Sequence, residues 1–131
     1  YDGDYKLNKD IFYDRVELND ILLSKFYSIL SEKYFEDFLK CICDIYITDN
    51  LDTFEAKIIT TGVAGMYTIY ESILMYTDNN EIYGAFLHDD GKIYYFTSDI
   101  RFATSKPKTI INWLNKFDRE VIELYEDNYA I

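Results

Sequence analysis

The chain holds a single histidine, His88, and two acids follow it directly, Asp89 and Asp90. An imidazole beside carboxylates is the equipment of a general base, or one ligand of a metal site. Either use needs a second group: a nucleophile for the base, or further ligands at the right spacing. The sequence places neither beside His88, and a His before Asp-Asp-Gly also reads as a polar residue at a hairpin mouth. The two thiols, Cys41 and Cys43, are separated by one residue, which strains a disulfide badly. They lie in the apolar run Leu39-Lys40-Cys41-Ile42-Cys43 and read as buried thiols that behave as small hydrophobes, facing away from any Cys–His pairing. Asp89-Asp90-Gly91 lacks the alternating acids and closing Glu of a calcium loop. Gly62-Val63-Ala64-Gly65 lacks the Lys-Ser/Thr of a phosphate loop and reads as a strand kink or bulge. Carboxylates are so numerous that a pair at glycosidase distance can arise by chance, and nothing singles out two of them. The sequence therefore picks out no catalytic residue, no metal ligand and no cofactor.

One pattern remains, acids interleaved with tyrosines. Near the start stand Asp2, Asp4, Asp10 and Asp14, with Tyr1, Tyr5 and Tyr13 among them. Asp44, Tyr46, Asp49 and Asp52 form a second group, and Glu123, Tyr125, Glu126 and Asp127 a third. Carboxylates steer and pair with Lys and Arg, acting mainly on association rate. Tyrosine supplies rigid contact area at small entropic cost. The twelve residues of the three groups, Tyr1, Tyr5 and Tyr13 aside, are the candidate binding surface for a basic protein; the plainer alternative is a solvated acidic face with half-buried tyrosines.

Composition sets the frame. Twenty-four acids against thirteen bases give a formal charge of −11, which argues against DNA, RNA or an anionic membrane as partner. The acidity belongs to the ends: residues 1–55 carry thirteen acids and six bases, 56–117 six of each, and 118–131 five acids and one base. Hydrophobic residues make up 49% of the chain, ample for a core, so the charge does not signal disorder. With 131 residues, one domain spanning 1–131 is expected. Free thiols fit a reducing, cytoplasmic setting, and no stretch reads as a membrane span or signal peptide.

The elements that must position these residues follow from periodicity. Residues 1–15 read loosely as an arm or an early strand. Apolar residues at three- and four-residue steps predict helices over about 18–30 and 32–47, or one bent helix, with Asn19 or Asp20 as cap. Phe54–Thr61, Met66–Thr77, Glu81–His88 and Lys92–Ser98 read as strands, a helix competing for the first half of the second. Asp-Asp-Gly at 89–91 marks a hairpin. Ser105-Lys106-Pro107 reads as a helix start with Ser as cap, before the apolar stripe Ile110, Ile111, Trp113, Leu114 and Phe117. Residues 119–126 fit either a helix or a closing strand. The expected fold is α+β: an antiparallel meander of three to five strands, with N-terminal helices and a C-terminal helix packed on it.

The stretches Glu81-Ile82-Tyr83-Gly84-Ala85-Phe86-Leu87, Gly91-Lys92-Ile93-Tyr94-Tyr95-Phe96-Thr97 and Pro107-Lys108-Thr109-Ile110-Ile111-Asn112-Trp113-Leu114 resemble small acidic immunity proteins of bacterial contact-dependent growth inhibition and related polymorphic toxin systems. The resemblance covers about a quarter of the chain, and residues 1–55 lie outside it. It implies a protein that binds a cognate toxin domain in the producing cell and blocks its active site or substrate groove. A nuclease-type toxin with a basic cleft suits a partner of this charge. Two other functions fit the same residues: an acidic nucleic-acid mimic that inhibits a defence nuclease, and an enzyme with carboxylate catalysis, which needs two acids of split pKa in one cleft.

Overall fold

A computed structural model describes residues 5–16, 19–42, 44–63, 65 and 69–124, the side chains of 5–8 and of Ile47 excepted. Two helices open the chain, α1 (Tyr5–Arg15) and α2 (Asp20–Leu39), followed by β1 (Asp44–Ile47), β2 (Lys57–Gly62), β3 (Glu71–Tyr76), β4 (Ile82–Leu87) and β5 (Ile93–Thr97). A short 3-10 turn (Ile100–Phe102), α3 (Lys108–Leu114) and β6 (Val121–Leu124) complete it. The strands form one sheet in chain order, β1 to β6. The first four pairings are antiparallel, and β6 lies parallel to β5 because α3 crosses over between them.

The fold class matches the expectation, an α+β arrangement with helices before the meander and one after. Two expectations in the first half of the chain change. Residues 5–15 are helical rather than an arm or strand, because Phe12 has a core to enter: it is fully buried, edge-on to Phe26 and Phe38. The second predicted helix stops at Leu39 instead of running to residue 47. Cys41 and Ile42 are fully buried, Thr61 Oγ1 donates to the Cys41 carbonyl at 2.8 Å, and the chain turns back into the sheet. The Asp-Ile-Tyr-Ile run then alternates as a strand should. Of the two possibilities for the end of the chain, residues 121–124 take the strand.

Alternation puts a core on each face of the sheet. Leu74, Tyr76, Ile82, Phe86, Tyr94 and Phe96 point toward α1 and α2. Ile73, Met75, Tyr83, Ala85, Ile93 and Tyr95 point the other way, toward Ile110 and Trp113 of α3. Helix α2 starts as expected, with Asn19 Oδ1 accepting from Leu22 N at 2.8 Å. It bends at Ser31, whose backbone (φ 60°, ψ 171°) leaves the helical region. Helix α3 does not use Ser105 as cap. Its first amides, Lys108 N and Thr109 N, donate to the Asp52 carboxylate at 2.8 and 3.0 Å, and Thr109 Oγ1 donates to it at 2.6 Å. A loop 56 residues earlier thus supplies the cap, which no local sequence rule reveals.

Candidate functional site

His88 does meet acids, though chiefly one the sequence kept far away. Its Nε2 lies 2.8 Å from Asp37 Oδ2 on α2, while Asp90 N donates to Nδ1 at 3.3 Å. Tyr94 Oη donates to Asp90 Oδ2 at 2.5 Å. That hydrogen bond, with burial, pushes the Tyr94 phenol well above its ordinary range. Burial pushes the Asp90 carboxyl up, but the bonds from Tyr94 and Lys92 N outweigh it and hold it low. The imidazole ring packs on Tyr94 at 4.8 Å and near Tyr34 and Phe86. Cys41 Sγ, close by, is a weak donor to the Leu87 and Asp37 carbonyls at 3.6 and 3.7 Å. Burial, followed by the neighbouring carboxylates, raises its pKa far above that of a reactive thiol. Chemically this network is a clip that ties α2 to the β4–β5 hairpin. Among the described residues no group of three or more His, Cys, Asp or Glu is placed to hold a metal ion.

The candidate binding residues separate into distinct places. Asp10 and Asp14 are exposed on α1, in the layer that covers one face of the sheet. Asp44 and Tyr46 sit two apart on β1, so both point to the other face, the α3 side. The register gives one continuous row across that face: Tyr46, Thr60, Ile73, Ala85, Tyr95, Glu123. Tyr46 and Glu123 therefore occupy opposite edges, about 24 Å apart at ~4.8 Å per strand, with α3 between them. Glu123 accepts from Lys106 Nζ at 2.8 Å, and Lys106 also lies over the Tyr95 ring. Asp52 is consumed as the α3 cap. Asp2, Asp4, Tyr125, Glu126 and Asp127 lie outside the described residues, as does Cys43. Among the described residues, Asp10 and Asp14 lie on the helical layer over one face of the sheet, and Glu123 points to the other.

What the structure does bring together is the middle group. Tyr46 is 49% exposed, and Leu51 in the loop after β1 equally so. Among the described residues no ion pair engages Asp44 or Asp49. Between this strand and α3 opens a cleft of about 260 Å³. Thr60 and Ile73 line it on the sheet side, and Thr48, Asp49 and Leu51 along the loop. Asn112, Trp113 and Lys116 line it on the α3 side. The loop is held to the helix by Leu51 N donating to Thr109 Oγ1 at 2.9 Å, besides the Asp52 cap. Lys116 Nζ pairs with Glu71 at 3.6 Å and lies 5.7 Å from the Trp113 ring. Leu51, Asn112 and Lys116 were not among the sequence candidates. Their signal was there in part: residues 109, 112, 113 and 116 share one helical face, and Leu51 is the one large apolar residue between Thr48 and Thr53.

No protein-family model, curated protein or solved structure matches this chain. None of the described helices is long and apolar enough to cross a membrane.

Proposed function

We propose that the protein binds a cationic protein through the surface around β1, and that this partner is a toxin domain which it neutralises by covering the active site or substrate groove. The observation that carries the reading is the exposed group Tyr46, Asp49 and Leu51, with half-buried Asp44 beside them, next to an open cleft at a terminal strand. It joins the elements of a binding hot spot: an aromatic, an aliphatic, a concave pocket and acids at its rim. The net charge of −11 adds long-range attraction for a basic partner and repels nucleic acid and anionic lipid. The resemblance of residues 81–87, 91–97 and 107–114 to immunity proteins suggests the toxin as partner. Those residues build the β4–β5 hairpin and α3, the scaffold behind the surface rather than the surface itself. That division suits a family in which a common scaffold presents a variable binding face.

The test is co-expression with the C-terminal domain encoded by the gene immediately upstream. Relief of growth arrest is expected, together with a purified complex whose association rate falls as salt rises. Asp44→Lys combined with Asp49→Lys should slow association by about tenfold or more without changing the thermal midpoint. Failure to relieve arrest or to form the complex, or association indifferent to both salt and the double variant, would refute the reading.

A further inference from the structure

We infer that the cleft between α3 and the β1–β2 edge is the anchor point of this docking surface and takes the side chain of one arginine from the partner. The inference rests on the reading above for the cationic nature of the partner, and adds the residue type and the place it enters.

Size is the first argument. At about 260 Å³ the cleft falls below the ~300–1,000 Å³ of pockets that enclose whole small ligands. It is on the scale of one long side chain. Charge is the second. Asp49 lines the cleft, and Asp44 and Glu71 flank Gly62 in the neighbouring row of the same face. Against these three acids stands Lys116, already paired with Glu71 and lying over the Trp113 and Phe117 rings. Lys116 serves the Glu71 side of the site, and Asp49 is the acid left for an incoming cation.

Geometry of the acceptors chooses between arginine and lysine. The oxygens available are spread over separate elements: the Asp49 carboxylate, the Thr48 and Thr60 hydroxyls and the Asn112 amide oxygen. A guanidinium offers five N–H donors in one plane and can reach several such oxygens together, whereas an ammonium is a compact point charge. Leu51 provides exposed apolar surface for the methylene stem, and buried Ile73 and Trp113 form the floor of the cleft beneath it.

Trp113 is the only tryptophan, so the ¹⁵N-labelled protein gives a single indole resonance inside the site. It is to be titrated with N-acetyl-arginine amide, its lysine counterpart, and the citrulline counterpart, which keeps the shape and lacks the charge. The arginine derivative should shift the indole and the Thr48–Leu51 amides saturably. The lysine derivative should bind at least about fivefold more weakly, and both the citrulline derivative and Asp49→Asn should weaken binding by about tenfold. Equal binding of citrulline, an unchanged affinity in Asp49→Asn, or no saturation at tens of millimolar would overturn the proposal. The two levels separate cleanly. A toxin complex that depends on salt but is indifferent to Asp49→Asn removes the cleft and keeps the docking surface. Saturable arginine binding without any toxin complex keeps the cleft and removes the toxin.

Discussion

The two faces of the sheet are covered in opposite ways. On one, a twenty-residue helix and an eleven-residue helix lie over a cluster of phenylalanines. Phe26 and Phe35 stack at 5.3 Å, while Phe38 meets Phe96 and Phe86 edge-on. Phenylalanine has no polar atom to satisfy, so this face gains most by complete closure. On the other face a seven-residue helix covers only the middle of the sheet. There the rings carried by the sheet itself are tyrosines with hydroxyls engaged, packed against Trp113 and three partly buried phenylalanines: Tyr83 Oη donates to Asp99 at 2.7 Å, and Tyr95 Oη to the Phe102 carbonyl at 2.8 Å. A face built this way tolerates water at its margins, and its margin is where the cleft and the exposed β1 residues lie. The larger apolar cluster lies on the thick face, and the thin one keeps its margin open.

That contrast breaks first at Gly84. A Cβ built there would stand 2.3 Å from Phe96 Cζ, because the ring of Phe96 lies flat over the glycine across the β4–β5 pairing. Phe96 is fully buried and walled in by Phe26, Phe38 and Phe86, so it has nowhere to move. Gly84→Ala should cost about 3 kcal/mol through overpacking, read as a lowered urea midpoint with unchanged slope. A near-neutral result would mean the sealed face has slack and the contrast between faces is wrong.

The thin face has its own polar lock. Asp99 is 6% exposed; it accepts from Tyr83 and takes two bonds from the exposed guanidinium of Arg101, at 3.0 and 2.7 Å. Burial pushes its carboxyl up, and the bonds from Arg101 and Tyr83 more than reverse that, so its pKa lies below the ordinary range. A carboxyl with a depressed folded pKa stabilises above its unfolded value near ~3.9, and that stability is lost as pH falls through the folded one. Asp99→Asn should lose about 2 kcal/mol at pH 7, with the gap to wild type closing below about pH 4. A gap that stays constant down to acid denaturation would show that the charge of Asp99 is not what matters.

Much of this was legible beforehand, for reasons that differ by residue. The hairpin at Asp89-Asp90-Gly91 was readable because glycine marks the turn: Gly91 has φ 82°. The break near Ser31 was readable from the restart of the apolar pattern. Strand β1 was not, since Ile42, Ile45 and Tyr46 fit a helical step as well as an alternating one, and only pairing with β2 decides between them. The His88–Asp37 contact spans 51 residues and the Asp52 cap 56. Neither leaves a trace in local spacing. Nearness in sequence to a terminus likewise says nothing about which face a residue reaches: Asp10 and Asp14 sit on the helical layer, and Glu123 points to the opposite side of the sheet.

Asp52 tests the reach of such long-range contacts directly, because its value is structural while its neighbour Asp49 is exposed and makes no cap. Asp52→Ala should cost about 1 kcal/mol as a lost helix cap, while Asp49→Ala stays within about 0.5 kcal/mol of wild type. Thermal denaturation of the two single variants measures both. Equal, small effects would mean that α3 holds its place without the loop, and the wall of the cleft would then be less fixed than its hydrogen bonds indicate.

The smallest expected effect sharpens the account of the thick face from its outside. Ser31 is exposed, and its φ of 60° with ψ of 171° lies in a region that is essentially reserved for glycine. The bend there has a packing cause. A straight twenty-residue helix would carry its apolar stripe out of line with the sheet, whereas the bend lets Leu22, Phe26, Ile29 and Leu30 before it, and Phe35, Phe38 and Leu39 after it, all reach the same core. The serine therefore holds backbone strain that the phenylalanine cluster compensates. Ser31→Gly removes the strain, of order 1–3 kcal/mol, and loses part of that to the greater freedom of glycine in the unfolded chain, about 0.4–1 kcal/mol. The net is a gain of about 1 kcal/mol, seen as a raised thermal midpoint. Ser31→Ala, which keeps a Cβ, should show no such gain. If glycine instead destabilises, the bend is not located at Ser31, and the two halves of α2 must reach the core by a smoother curve.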